Sequence, residues 1–138
     1  MKVCVIGSGG REHALAWRLS ISPRVTKVYA IPGSAAMSDC AELVGIDWQQ
    51  SDHLIRFLKD SHVDLVVVGP EAPLVAGLAD ALNAAGIPVF GPSKAAAQLE
   101  GSKVFAKDLM KKYNIPTAAY GVFHKVDEAK EFIGQTGA

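Results

Sequence analysis

The chain has 138 residues, of which 49% are hydrophobic, and its 14 basic and 14 acidic side chains cancel. This length and apolar content suffice for a folded core, while the balanced charge argues against a nucleic-acid-binding protein. No apolar run approaches the roughly 18 residues needed to cross a bilayer, so we expect no membrane segment.

The amino terminus and the cysteines restrict the class of protein further. No export leader is recognisable after Met1, and we therefore expect a cytoplasmic location. Cys4 and Cys40 have neither metal-site spacing nor the pattern of a disulfide framework, so we interpret both as reduced structural thiols. No cluster of His, Cys and carboxylate residues has the spacing of a metal site.

Apolar, β-branched runs alternate with helical patterns in the first part of the chain. We predict strands at residues 2–6, 27–31, 41–46, 64–69 and 88–91, and helices at 12–20, 52–61 and 74–85. Such alternation is typical of an α/β fold, a Rossmann-like parallel sheet with helices on both faces. Residues 3–6 and 65–68 are apolar throughout, which indicates neighbouring central strands covered on both faces.

The pattern changes after residue 93. Helices are predicted at 94–99 and 103–113, separated by Gly101 and Ser102, followed by a strand at 120–123 and a helix at 126–133. We therefore predict an amino-terminal domain over residues 1–100 and, over residues 101–138, the incomplete start of a second region.

Ligands of parallel sheets bind at the edge where the strands end, which here selects the loops 7–11, 32–36, 69–73 and 91–93. The first loop reads Gly-Ser-Gly-Gly-Arg, and its backbone N–H groups could face an oxyanion, with Arg11 adding a charged fork. A glycine turn of this kind is also useful for structure alone. Both interpretations stay open on this feature.

Two nucleotide motifs are excluded. A dinucleotide fingerprint needs Gly-x-Gly-x-x-Gly and an acidic residue at the end of the second strand. Here Glu12 takes the third glycine position, and the second strand ends in Tyr-Ala-Ile-Pro (29–32) without a carboxylate. The Gly-Lys-Ser/Thr of a triphosphate-binding loop is also missing at the required spacing.

Glu71 follows a buried strand in the sequence Gly69-Pro70-Glu71-Ala72-Pro73-Leu74, and Pro73 suits an early helical position. A carboxylate there either stabilises the helix dipole or accepts hydrogen bonds from sugar hydroxyls or an amine. We favour the second role, because the loop 7–11 is expected beside it.

Outside these loops, the start of the helix at 103–113 offers one further candidate residue. Ser102 suits a helix N-cap, whereas Lys103 places a cation at the positive end of the same helix. Because local rules are broken where function demands it, Lys103 is a candidate contact for an anionic ligand. We interpret His13 as a capping or packing residue, Trp17 as a core residue and Trp48 as a surface-shielding aromatic.

Long segments then match one family in chain order: GSGGREH (7–13), VVGPEAPL (67–74), FGP (90–92), AQLE (97–100), SKVFAK (102–107) and IPTA (115–118). They resemble the phosphoribosylamine-glycine ligases, the glycinamide ribonucleotide synthetases of purine biosynthesis, which are ATP-grasp enzymes. The resemblance implies that the chain is the amino-terminal, pre-ATP-grasp domain plus the first elements of the next domain. Members of this family are considerably longer than 138 residues.

The resemblance implies a ligase that activates glycine with ATP as an acyl phosphate, which the amine of 5-phosphoribosylamine attacks, releasing ADP and phosphate. ATP with Mg²⁺ or Mn²⁺ would act in the full-length enzyme, and the carboxyl-terminal domains would be the partners of a chain that is inactive alone. Lys103 would contact ATP phosphates, and Glu71 would lie nearest the ribose. The implied phosphoribosylamine-binding residues are Gly7, Ser8, Gly9, Gly10, Arg11, Glu12, Gly69, Pro70, Glu71 and Pro73.

One loop departs from the family pattern. Where the family usually has Pro-Gly-Asn-Ala-Gly, this chain has Pro-Gly-Ser-Ala-Ala, with Ser34 and Ala36 as the replacements. We assign no substrate contact to that loop. A free-standing nucleotide- or phosphosugar-binding module is the alternative function, and a nicotinamide-binding oxidoreductase domain is a weaker third.

Overall fold

Residues 1–137 are described by a computed structural model, and within them five strands form one parallel sheet of order β3-β2-β1-β4-β5. The strands are β1 (Lys2–Gly7), β2 (Lys27–Pro32), β3 (Glu42–Leu43), β4 (Leu65–Val68) and β5 (Val89–Phe90). β1 is central, and its Ile6 is paired with Ile31 of β2 on one side and with Val68 of β4 on the other. The predicted parallel sheet is thus confirmed, including its neighbouring central strands.

The helices of the described residues are α1 (Gly10–Ser20), α2 (Ser51–Asp60), α3 (Glu71–Ala76), α4 (Leu78–Ala84), α5 (Lys94–Gly101), α6 (Lys103–Lys112) and α7 (Val126–Thr136). A 3-10 turn over Ala35–Met37 follows β2. The chain divides into two compact units, the first Met1–Gly101 and the second starting at Ser102. None of these helices is both long enough and apolar enough to cross a membrane.

The core of the first unit lies on both faces of β1. Cys4 and Ile6 point to one face, where they join a cluster that contains Leu54 of α2 and Leu82 of α4. Val5 points to the other face and joins Ala16 of α1. Because successive side chains of a strand alternate between faces, an entirely apolar strand is what a sheet covered on both sides requires.

The segment predicted as one helix over residues 74–85 consists of two. Gly77 has φ +100°, a left-handed conformation that glycine adopts without strain, and it separates α3 from α4. α3 begins earlier than predicted, at Glu71, and Pro73 lies in its first turn as expected. Glu71 is therefore the first residue of a helix rather than a loop residue.

The strand predicted at 120–123 does not form. Within the described part of the second unit there is no strand with which it could share hydrogen bonds, and a lone strand leaves its backbone groups unpaired. Its two aromatic residues make separate contacts instead. The ring of Phe123 lies 5.1 Å from that of Phe132 in α7, and the hydroxyl of Tyr120 donates to Asp108 in α6.

Trp17 is 55% exposed, so its interpretation as a core residue was wrong. α1 turns Glu12 and Ala16, four residues apart, toward the interior of the first unit. Trp17 directly follows Ala16 and therefore lies about 100° further round the helix, because one turn takes about 3.6 residues.

Candidate functional site

The candidate site lies where β1 and β4 end next to each other. Gly7 closes β1 with φ +128°, a conformation that other residues rarely adopt, and Gly9 is the N-cap of α1. The N–H of Gly69, directly after β4, donates to the carbonyl of Ile6 at 3.1 Å. The loops 7–11 and 69–73 therefore lie together at the carboxyl edge of the sheet.

Glu12 is a buried carboxylate between these two loops, with only 4% of its surface exposed. Its Oε2 accepts a hydrogen bond from the N–H of Gly9 at 2.8 Å, and its Oε1 accepts one from Nε–H of Arg11 at 2.8 Å. Burial of a carboxylate is costly unless it is paired and hydrogen-bonded, and both conditions are met here. The carboxylate thus fixes the glycine loop and the direction of Arg11.

The glycines of both loops leave the space that the Glu12 side chain fills. A Cβ atom built at Gly7 would lie 2.5 Å from Cγ of Glu12, one at Gly9 2.9 Å from Oε2, and one at Gly69 close to Oε1. Any larger residue would collide with the carboxylate. The N–H of Gly9 is already occupied by Glu12, so the loop offers a ligand one donor fewer than its sequence suggests.

Arg11 reaches from the first loop to the second. Its Nη2 lies 3.9 Å from Oε2 of Glu71, and both side chains are about half exposed. The hydrogen bond to Glu12 raises the pKa of Arg11; burial opposes this rise, and the charges of Glu12, Glu71 and Glu100 add to it. Arg11 therefore stays a fixed cation beside the carboxylate of Glu71.

A cavity of about 470 Å³ opens beside the glycine loop. It is lined by Gly7, Ser8, Gly9, Glu12, Pro32 and Pro70 and, from the segment after β3, by Gly45, Ile46, Asp47 and Trp48. All these residues belong to the first unit. The volume falls within the range of small-molecule sites in proteins.

Among the residues proposed from the sequence, Gly7, Ser8, Gly9, Glu12 and Pro70 line this cavity, and Gly10, Arg11, Gly69, Glu71 and Pro73 do not. Gly10 and Arg11 lie in the first turn of α1. Glu71 is the first residue of α3, and Pro73, in the same turn, is buried. Ser34 and Ala36 are also outside the lining; Ser34 is the N-cap of the 3-10 turn after β2, and Ala36 lies within that turn.

Lys103 lies in the second unit, where it is the exposed first residue of α6. Oγ of Ser102 accepts a hydrogen bond from the N–H of Phe105 at 3.2 Å, which is the N-cap predicted for that helix. Within residues 1–137 no group of three or more His, Cys, Asp or Glu side chains is placed to hold a metal ion.

Asp47 and Trp48 were not selected from the sequence as site residues, although they line the cavity. The segment 41–46 was predicted as a strand of the same parallel sheet, so the loop after it belongs to the same edge as the other three. Applying the edge rule to that strand as well would have found both residues.

Comparisons with known proteins identify the family of the chain. Residues 1–100 match the family model "Phosphoribosylglycinamide synthetase, N domain", and residues 101–138 match "Phosphoribosylglycinamide synthetase, ATP-grasp (A) domain". The phosphoribosylamine-glycine ligases of Brucella melitensis and Mesorhizobium japonicum are 59% and 57% identical over 138 residues. These matches cover 100% of this chain and 32% of each relative, so the chain spans about a third of their length.

Two solved structures share the fold. Phosphoribosylamine-glycine ligase from Thermotoga maritima superimposes with a TM-score of 0.71 at 31% identity, over 98% of this chain and 30% of that one. The biotin carboxylase domain of Hydrogenobacter thermophilus 2-oxoglutarate carboxylase, solved with MgADP and bicarbonate, has a TM-score of 0.67 at 20% identity, over 99% of this chain and 33% of that one. The resemblance found in the sequence is confirmed, and the chain belongs to the phosphoribosylglycinamide synthetase family.

Proposed function

We propose that this chain serves as the amino-terminal third of an ATP-dependent carbon-nitrogen ligase. The ligase joins glycine to 5-phosphoribosylamine and releases ADP and phosphate, as a step of purine biosynthesis. The observation that carries the proposal is the 59% identity to the Brucella melitensis ligase over the whole chain. The cavity and the two joined loops are compatible with a small-molecule substrate.

In this proposal the loops of the first unit bind phosphoribosylamine. The half-exposed carboxylate of Glu71 accepts hydrogen bonds from the ribose hydroxyls, while Arg11 keeps a positive charge beside it. The remaining contacts come from Gly7, Ser8, Gly9, Gly10, Glu12, Gly69 and Pro70, whereas Pro73, a candidate from the sequence, is fully buried and only supports the helix that begins at Glu71. Positioning and charge complementarity supply most of the acceleration in phosphoryl-transfer enzymes, so none of these residues has to act as a nucleophile.

ATP binding is assigned to the second region of the chain and beyond. The exposed Lys103 contacts the phosphates of ATP, which activates the glycine carboxylate when bound. The described residues do not fit a metal ion, because they contain no suitable cluster of ligands. We therefore assign Mg²⁺ or Mn²⁺ to the remaining two thirds of the ligase and derive no step through it from this chain.

The test uses a ligase of full family length that carries this chain, if necessary as a chimera with the rest of the Brucella melitensis relative. We expect ADP release that depends on both glycine and phosphoribosylamine. Glu71→Ala should raise KM for phosphoribosylamine about tenfold or more, because hydrogen bonds to a charged group are strong. Glu42→Ala, an exposed carboxylate on the edge strand β3, is the matched control.

Two results would contradict the proposal. A folded, ATP-binding full-length protein without glycine-dependent ADP release would exclude the ligase activity. Unchanged kinetics of Glu71→Ala would remove that residue from the site while leaving the activity standing.

The chain alone is expected to make no product, and the cytoplasmic location and the lack of nucleic-acid partners stay predictions from the sequence.

The second candidate is a free-standing module that binds a nucleotide or a phosphosugar. It is favoured by the cavity, whose lining comes entirely from the first unit. This alternative predicts tight binding of ribose 5-phosphate or ATP to the isolated chain, measured by titration calorimetry. The ligase proposal predicts very weak binding of either.

A further inference from the structure

The cavity beside the glycine loop has a second wall, residues 45–48, which connects β3 to α2 and which we call the 45–48 wall. Oδ1 of Asp47 accepts the N–H of Gln49 at 3.0 Å, and its carbonyl accepts the N–H of Gln50 at 3.0 Å. Trp48 is half-buried and packs against the larger core cluster. The wall is therefore held in place by the turn and by the core.

The charges of the lining decide which part of a substrate fits. Glu12 and Asp47 are carboxylates, and the lining contains no lysine or arginine. Glu12 is buried with both oxygens hydrogen-bonded, whereas Oδ2 of Asp47 has no hydrogen-bond partner within residues 1–137. Because Arg11 pairs with Glu12, the carboxylate charge left to repel a phosphate is that of the exposed Asp47, whose Oδ2 offers an acceptor to a hydroxyl or amine group.

The lining also offers donors and a flat apolar surface. Within the described part of the chain, neither the indole N–H of Trp48 nor the hydroxyl of Ser8 donates a hydrogen bond to the protein, so both are available to a ligand. An indole combines an apolar face with one N–H donor, a combination suited to a ring that carries hydroxyl groups.

We propose that Asp47 and Trp48 are specificity-determining residues that receive the hydroxyl-bearing pentose ring of the substrate, with its phosphate held outside the cavity. The inference rests on the proposed function and deepens it, because it orients the substrate at the same site. Pro70, which directly precedes Glu71, lies in the same lining, so the cavity adjoins the residue proposed to bind the ribose hydroxyls.

The test is steady-state kinetics of the full-length ligase with two variants and two matched controls. Asp47→Asn removes only the charge, and Trp48→Phe removes only the N–H and part of the ring. Asp39→Asn is the control for the first, since Asp39 is exposed and makes no side-chain hydrogen bond among the described residues. Trp17→Phe is the control for the second, since Trp17 is exposed on α1.

Asp47→Asn should raise KM for phosphoribosylamine about tenfold and Trp48→Phe about threefold, as expected for one charged and one neutral hydrogen bond. The kcat and the KM values for ATP and glycine should stay unchanged, and both controls should match the unmodified enzyme. Competition by ribose should weaken in Asp47→Asn by the same factor as KM rises, whereas competition by inorganic phosphate should not weaken.

Two outcomes overturn the inference. Either Asp47→Asn behaves like Asp39→Asn, or it alters competition by phosphate and leaves competition by ribose unchanged, which would place the phosphate at the wall. Thermal unfolding of each variant checks the fold, and Asp47→Asn carries the test if Trp48→Phe unfolds. If the unmodified full-length protein has no ligase activity, the proposed function fails, and the inference about the 45–48 wall fails with it.

Discussion

The two units of the chain differ in what they do with their apolar side chains. In the first unit, Leu82 of α4 is 0% exposed and lies in a cluster that spans the sheet and four helices. In the second unit, α7 contains Val126 and Ile133, yet Val126 is 70% exposed, and among the described residues only Ala106 is buried. A helical pattern of apolar residues therefore predicts a helix, but it does not predict that the helix has a core to pack against.

The second unit is held mainly by contacts near its surface. Nζ of Lys107 donates to Oγ1 of Thr117 at 2.6 Å and to the carbonyl of Ala118 at 3.0 Å, and these groups are exposed or half-buried. Such contacts stabilise a fold by about 1 kcal/mol each or less. We therefore expect the stability of the chain to come from the first unit, and the second unit to open first.

The largest predicted effect tests that division directly. Leu82→Ala removes a fully buried side chain of the first unit and should lower the free energy of unfolding by about 3 kcal/mol. Val126→Ala, in the second unit, should change it by less than about 0.5 kcal/mol. Urea unfolding of the chain, followed by circular dichroism, measures both. Equal losses in the two variants would show that the units are stabilised alike.

The next effect asks whether the loop edge of the first unit is packed as tightly as its core. Gly69→Ala brings a Cβ against the carboxylate of Glu12 and should cost about 2 kcal/mol, as overpacking does. Shortening Glu12 to alanine in the same chain should recover part of that loss, because the collision disappears.

The double variant therefore has a clear expected sign. Gly69→Ala with Glu12→Ala should be less destabilised than the sum of the two single variants, by about 1 kcal/mol or more in a double-mutant cycle. Gly45→Ala is the control, because a Cβ built at Gly45 meets no atom within 4 Å. If the two losses of stability are strictly additive, the missing side chain at Gly69 is not what makes room for Glu12.

Much of the first unit could be predicted because strand patterning and edge rules act through the backbone. The apolar runs around Cys4 and Val66 identified the central strands, and the crossover rule placed the loop of Arg11 beside that of Glu71. The role of Glu12 could not be predicted in this way. It depends on side-chain volume between two loops that are far apart in the sequence.

The errors share a physical cause. The strand predicted at 120–123 and the buried Trp17 both followed from local apolar character, which contains no information on whether a partner surface exists. Asp47 was missed for the opposite reason. An aspartate in a loop gives no local signal of a binding site, and only the pairing of β3 with β2 brings the following loop to the cavity. Local signals predict elements, and tertiary contacts decide which faces are covered.

A smaller effect is the pH dependence of the free energy of unfolding. It concerns the first unit, because both cysteines lie there. Burial raises the pKa of the Cys4 thiol from 9.0 to about 12. The unfolded chain therefore releases this proton at lower pH than the folded chain, and stability is lost as the pH rises from about 9 to about 12. At one pH unit above the unfolded pKa the loss amounts to about 1.4 kcal/mol.

The measurement is the free energy of unfolding in urea between pH 8 and pH 10.5. Cys4→Ala should flatten its alkaline decline, whereas Cys40→Ala should flatten it much less, because Cys4 is fully buried and Cys40, whose pKa is raised by burial and by Asp39, is only half-buried. An identical decline in the unmodified chain and in Cys4→Ala would contradict the assignment.

The smallest predicted effect compares one helix cap in each unit. Ser102 and Ser93 each accept a hydrogen bond from the N–H three residues on, at 3.2 Å and 3.3 Å, and their loss should cost about 1 kcal/mol per cap. α5 packs the buried Ala97 into the core, so Ser93→Ala should lower the unfolding free energy of the whole first unit. α6 has no comparable core contact beyond Ala106, so Ser102→Ala should only speed amide exchange in α6, about fivefold. A shift of the first-unit urea midpoint in Ser102→Ala would mean that the two units unfold together, which would break the contrast between them.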